Sequence, residues 1–100
     1  MTIQELLTSL QIPAQYGSMD EAVDPPYIIY MGSMPDNYYF DNIPYVKQKA
    51  YRLEYYFKDK NESLEETLET LLASDGWTFT KSDDLYISQE NIYAVYYYIE

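Results

Sequence analysis

The alternation of apolar and polar positions divides the chain into two helical stretches and four extended ones. Ile3, Leu6, Leu7 and Leu10 recur at helical spacing behind Thr2-Ile3-Gln4-Glu5, a capping-box pattern, and predict a short helix over Ile3 to Leu10. Pro13 ends that pattern, and the residues from Ile12 to Pro26, with Gly17 and a double proline, read as loop. Tyr27 to Met31 is a short apolar run that reads as a buried strand. Turn formers fill Gly32 to Asn42. Tyr45 to Phe57 then alternates without a break. Lys47, Lys49, Tyr51, Leu53, Tyr55 and Phe57 fall on one side; Val46, Gln48, Ala50, Arg52, Glu54 and Tyr56 fall on the other. A strand of that length spans about 40 Å, so either a bulge bends it or its first half projects as one arm of a hairpin with Tyr27–Met31.

Ser63-Leu64-Glu65-Glu66 repeats the capping-box pattern and opens a second helix that runs to about Ser74. Leu64, Leu68, Leu71 and Leu72 form its apolar face, Glu62, Glu65, Glu66 and Glu69 are expected on the opposite side, and Gly76 suits the C-terminal cap. Trp77 to Thr80 predicts a strand with Trp77 and Phe79 inward. Turns at Ser82–Asp84 and Ser88–Asn91 flank a strand fragment at Tyr86-Ile87, and Tyr93 to Ile99 predicts the last strand. The expected class is α+β in the order α–β–β–α–β–β, one domain over residues 1–100. Its layers are a mostly antiparallel sheet and two helices on one face.

Composition narrows the chemistry. Fourteen tyrosines stand in 100 residues that contain no histidine and no cysteine. The usual general base, nucleophile and soft metal ligands are missing, so no enzyme activity, catalytic residue, metal or cofactor is expected. Carboxylate pairs at Glu65-Glu66 and Asp83-Asp84 read as solvated surface. Seventeen acidic residues against six basic give a net charge of -11, which repels nucleic-acid phosphates and anionic membranes. No apolar run is long enough to span a bilayer, and MTIQELLTSL lacks the basic start of a signal peptide; a cytosolic product is expected.

What remains is contact chemistry. Tyr38, Tyr39 and Phe40 place three aromatics in a turn-rich stretch, and aromatics concentrate at interface hot spots. Lys47, Lys49 and Arg52 hold half of the positive charge and suit the acidic face of a neighbouring copy. Tyr93 to Ile99 carries no charge on either side, so Tyr96 and Tyr98 are either covered within the fold or meet another subunit. Asp36, Asp41, Glu62, Glu65, Glu66 and Glu69 are the candidates for an exposed acidic face or channel lining.

Several segments together resemble a family. They are Ile12-Pro13 and Tyr16-Gly17 after the first helix, Pro25-Pro26-Tyr27-Ile28-Ile29-Tyr30, and Asp36-Asn37 and Asp41-Asn42 ahead of Tyr45. Tyr51-Arg52-Leu53-Glu54-Tyr55-Tyr56 with Lys58 and Lys60, the acidic helix from Ser63 and the closing Tyr93–Tyr96 strand follow. The pattern is similar to the small tail-completion, or tail-terminator, proteins of long-tailed phages and prophages of Gram-positive bacteria. This chain has more tyrosine, and more acid at Asp20, Glu21 and Asp24, than that pattern.

The resemblance implies a structural subunit that forms a ring, expected to hold six copies. Such a ring caps the tail tube, fixes tail length and joins the tail to the head. The major tail tube protein and a head-completion protein would be its partners, DNA would pass through without specific binding, and no membrane would be involved. The implied location is the host cytoplasm during assembly and then the head–tail junction of the virion. A head-closure or adaptor ring of the same gene module, and a small acidic inhibitor that mimics DNA, are the alternatives.

Overall fold

Helix α1 (Ile3–Thr8) starts where the pattern places it. The Thr2 hydroxyl accepts from the Glu5 amide at 3.1 Å, and the Glu5 carboxylate accepts from the Thr2 amide at 2.7 Å, closing the capping box. The helix ends at Thr8, two residues before the expected limit, and Gln11 turns the chain with a φ of 63°. Leu10 still packs into the core beside Ile3, Leu6 and Leu7. The computed structural model describes residues 2–19, 22–33 and 50–100.

The expected loop between Ile12 and Pro26 contains a strand, β1 (Ala14–Tyr16), parallel to β2 (Tyr27–Gly32). Three residues show no readable period; Ile28 N donating to Pro13 O and Gly17 N donating to Tyr30 O, both at 2.9 Å, pin this strand from outside. β2 pairs antiparallel with β3 (Tyr51–Phe57), from Tyr27 opposite Tyr56 to Gly32 opposite Tyr51. β3 is the second half of the expected long strand; its first half, residues 45–49, and with it the choice between a bulge and a projecting arm, lies outside the described residues.

Helix α2 (Glu62–Ser74) begins earlier than the pattern suggested. Its cap is Asn61, whose side-chain oxygen accepts from the Leu64 amide at 3.1 Å, so Ser63 lies inside the first turn and the expected capping box is not formed. The C-terminal end follows expectation. Gly76 has a φ of 89°, its amide donates to Ala73 O, and the Trp77 amide donates to Leu72 O, the paired closure that a left-handed glycine permits.

Strands β4 (Phe79–Lys81) and β5 (Leu85–Ile87) both pair antiparallel with β6 (Ile92–Ile99). Between them Ser82 keeps the edge closed: its amide donates to Tyr96 O and its hydroxyl accepts from the Tyr96 amide, each at 2.9 Å. Phe79, expected inward, is 37% exposed. It sits on an edge strand, so one side of its ring meets Tyr97 edge-on at 5.8 Å and the rest faces solvent. Trp77 precedes the strand and packs partly buried against the core.

The result is an α+β chain with two helices and a six-stranded, mostly antiparallel sheet in the order β1-β2-β3-β6-β4, with β5 also on β6. The core joins the apolar side chains of α1, Leu68 and Leu72 of α2, and alternate strand positions: Ile28 and Tyr30, Leu53, Tyr55 and Phe57, and Val95, Tyr97 and Ile99. The two caps proposed for α2 are separable by experiment. Asn61→Ala is expected to lower unfolding free energy by about 1 kcal/mol, whereas Ser63→Ala stays within about 0.5 kcal/mol; urea denaturation of both measures the difference.

Candidate interaction surface

Strand pairing fixes which side chains share the sheet face turned away from the core. Tyr27 lies opposite Tyr56, Ile29 opposite Glu54 and Met31 opposite Arg52; Arg52 lies opposite Tyr98, Glu54 opposite Tyr96 and Tyr56 opposite Ala94. Of the expected contact residues, Arg52, Tyr96 and Tyr98 thus come together on one face. Tyr38, Tyr39, Phe40, Lys47, Lys49, Asp36 and Asp41 lie outside the described residues.

A polar line organises this face. The Glu54 carboxylate accepts from Arg52 Nη2 at 2.9 Å and from the Tyr56 hydroxyl at 2.7 Å, so one nearly buried acid holds the side chains two residues to either side. Arg52 Nη2 also lies 3.5 Å from Met31 Sδ, and Tyr27 stacks on Tyr56 with ring centroids 5.0 Å apart. Burial, then the bond to Glu54, pushes the Tyr56 hydroxyl far above the ordinary tyrosine value. Arg52 Nε is buried without a hydrogen-bond partner among the described residues. Tyr98 is 45% exposed, and Tyr27, Ile29, Met31, Arg52, Tyr56 and Tyr96 are half-buried. This is an aromatic and sulfur-bearing surface on β2, β3 and β6, with a positive group already neutralised within the fold.

The sequence reading put Tyr56 on the side of Arg52 and Glu54 without naming it as a contact residue, and missed Tyr27, Ile29 and Met31 as members of this face. Their signal is the odd-numbered alternation of β2, obscured because Ile28 and Tyr30 are apolar as well.

The acidic helix does not present the expected ridge. Glu62 and Glu66 are exposed, but Glu65 is 3% exposed and Glu69 is half-buried. Glu65 precedes Leu68 by three residues and Leu72 by seven, which puts it on the buried stripe of α2 rather than opposite it. It is matched by two cations: Lys60 Nζ lies 2.8 Å from Oε2 and Lys81 Nζ 2.8 Å from Oε1. Lys81 also pairs with Glu69 at 2.8 Å, Lys60 with Asp84 at 3.1 Å, and the Tyr97 hydroxyl donates to Glu69 at 2.8 Å.

Burial works to raise the Glu69 carboxyl, but the bonds from Lys81 and Tyr97 outweigh it and hold it below the ordinary 4.5. Burial works to lower Lys81, and its bonds to Glu65 and Glu69 lift it well above the ordinary 10.5. Asp84 is therefore part of an ion network and not free turn surface. The whole arrangement ties the β3–α2 connection, α2, β4 and β6 together, which is an anchoring role.

Among the described residues no helix is long and apolar enough to cross a membrane. Comparison of the chain with protein-family models, with curated proteins and with solved structures gives no match.

Glu65→Gln leaves two lysines facing a buried neutral amide and is expected to cost about 3 kcal/mol; Glu66→Gln, one residue on and exposed, changes stability by less than about 0.5 kcal/mol. Equal urea midpoints for the two variants would contradict the network. Glu69 has its own pH signature. Its folded value lies below the unfolded one, so its contribution is complete above pH 4.5 and is lost as pH falls through the folded value. The stability difference between the wild type and Glu69→Gln should therefore shrink on acidification below 4.5, and a difference that grew there would contradict the assignment. Lys81 acts at the other limit: its raised value makes its contribution complete below pH 10.5 and lost as pH climbs past that point.

Proposed function

We propose that this chain is a structural subunit of the tail-terminator kind, forming a ring that caps a phage tail tube and joins it to the head. The observation that carries the reading is the gathering of Arg52, Tyr96 and Tyr98, with Tyr27, Met31 and Tyr56, on one face of β2, β3 and β6. Rigid strands that offer aromatic rings at low entropy cost suit subunit contact. In this reading both helices lie on the other face of the sheet, which is supported by the single core cluster that unites α1, α2 and alternate strand positions. The Arg52 face is then left for a neighbouring copy, the tail tube protein or the head-completion protein.

The exposed Glu62 and Glu66 suit a channel wall past which DNA slides, because like charge keeps phosphate from sticking. The same helix weakens the DNA-mimic alternative. With Glu65 turned inward and Glu69 paired to Lys81, no continuous ridge of carboxylates runs along α2. The role is one of assembly, without a reaction, cofactor or metal, in the host cytoplasm and then at the head–tail junction.

Silencing the gene in its phage, followed by electron microscopy, tests the reading. DNA-filled heads beside unjoined tails of uncontrolled length are expected, and normal virions would overturn it. Supplying the Tyr98→Asp variant, altered at an exposed position of the face, is expected to leave the defect in place while the wild-type copy repairs it.

A further inference from the structure

Away from the Arg52 face, four aromatic residues from separate parts of the chain meet at one open cleft of about 540 Å3. Tyr16 comes from β1, Tyr30 from β2, Tyr51 from β3 and Trp77 from the connection after α2; Thr2, Ile3 and Gln4 of the N-terminal segment complete the lining. Successive rings stand nearly at right angles: Tyr16 to Tyr30 at 88° and 5.3 Å, Tyr30 to Tyr51 at 71° and 6.0 Å, and Tyr51 to Trp77 at 68° and 5.8 Å. Each ring meets the next edge to face, so the four form one connected aromatic lining.

The walls are held in place. The Tyr30 hydroxyl donates to Gln4 Oε1 at 2.5 Å, and Gln4 Nε2 donates to Thr8 and to the Ala14 carbonyl, each at 3.1 Å. The Tyr16 hydroxyl accepts from the Gly32 amide at 3.3 Å, and the Trp77 indole donates to Asp75 Oδ2 at 3.2 Å.

We infer that this cleft is a binding site for a small quaternary ammonium compound, a trimethylammonium group on a short uncharged tail. Three features select that class. Electron-rich ring faces attract a desolvated cation, with tryptophan the strongest. The Asp75 carboxylate at the indole edge adds negative charge beside the cleft, no basic residue lines it among the described residues, and the whole chain carries -11. Finally, an N-methylated cation has no N–H groups and holds its water less tightly than a primary ammonium, so it costs less to bring against ring faces. This inference is independent of the assembly role proposed above.

Trp77 is the only tryptophan, so its fluorescence reports on the cleft directly. Titration of the full chain with choline is expected to give a saturable change. Dimethylbutanol, the neutral carbon isostere of choline, and ethanolamine, its unmethylated counterpart, are each expected to bind about tenfold more weakly. Tyr16→Leu, at a position 58% exposed, keeps apolar area and removes the ring; it should weaken choline several-fold without moving the melting temperature. No saturable change with choline, or equal binding of the isostere or of ethanolamine, would overturn the inference. Those three titrations on the wild type decide it even where the variant fails to fold.

Discussion

A carboxylate inside the fold, Glu65, constrains everything around it. A buried charge is costly unless opposite charge meets it, and breaking such a pair costs far more than never having built it. Lys60 and Lys81 reach Glu65 from different directions, one leaving β3 and one ending β4. Helix α2 can therefore neither rotate about its axis nor slide along it without stranding a charge. Glu69, one turn later, repeats the restraint through Lys81 and Tyr97. Apolar contacts through Leu68 and Leu72 hold the helix to the core but tolerate several registers; the ion network tolerates one. Lys60 and Lys81 also lie over the rings of Phe57 and Tyr97, at 5.4 and 5.6 Å, so the same cations bear on the aromatic core.

This restraint has a consequence for the surface. The chain has few cations, and the structure draws Lys60, Lys81 and Arg52 against its own carboxylates. Among the described residues these three cations are thus committed to pairs within the fold. A contact between acidic copies has to rely on aromatic and apolar groups or on a partner that brings positive charge. The side chains on the outer face of β2, β3 and β6 are of the first kind. β6 is uncharged along its length and would be an aggregation hazard at an edge, but it lies between β3 on one side and β4 and β5 on the other. Only its side chains, not its backbone, are available to a neighbour.

Much of this was legible in the sequence, and the failures share a physical cause. Both helices, β2, the Tyr51–Phe57 half of the long strand, the β5 fragment and the closing strand follow from periods of apolar residues. The glycine cap at Gly76 and the capping box at Thr2 follow from local hydrogen bonding. Apart from the α2 cap, which lies at Asn61 instead of Ser63, what failed depends on residues far apart. β1 exists because β2 lies alongside it, and three residues carry no period of their own. Glu65 was placed on the solvent side because carboxylates usually belong there, although its spacing to Leu68 and Leu72 said otherwise. Its partner Lys81 is sixteen residues away, and no local pattern announces such a pair. The site was less legible than the fold. Arg52, Tyr96 and Tyr98 were singled out for composition and lack of charge, and only the register of β3 against β6 reveals that they share a face.

Tyrosine shows why composition alone does not reach function here. Tyr55 and Tyr97 are core residues, Tyr56 and Tyr98 belong to the outer sheet face, and Tyr16 and Tyr51 line a cleft. The residue type is one, and the hydroxyl decides the use. A buried phenol needs a partner; Tyr97 finds Glu69, Tyr56 finds Glu54 and Tyr30 finds Gln4. Each of those bonds ties the tip of an aromatic ring to a particular acid or amide, and the neighbouring rings then fix its plane. Tyr55 is the exception: its hydroxyl is buried with no hydrogen-bond partner among the described residues, and burial followed by the charge of Glu65 raises its ionisation above the ordinary range. Fixed planes are what turn an excess of tyrosine into defined surfaces. A tyrosine whose tip is anchored presents one face to a neighbour or a ligand, and the same side chain unanchored would present an average. The outer face and the cleft both depend on such anchors, so the acids and amides that hold the rings belong to the sites as much as the rings do.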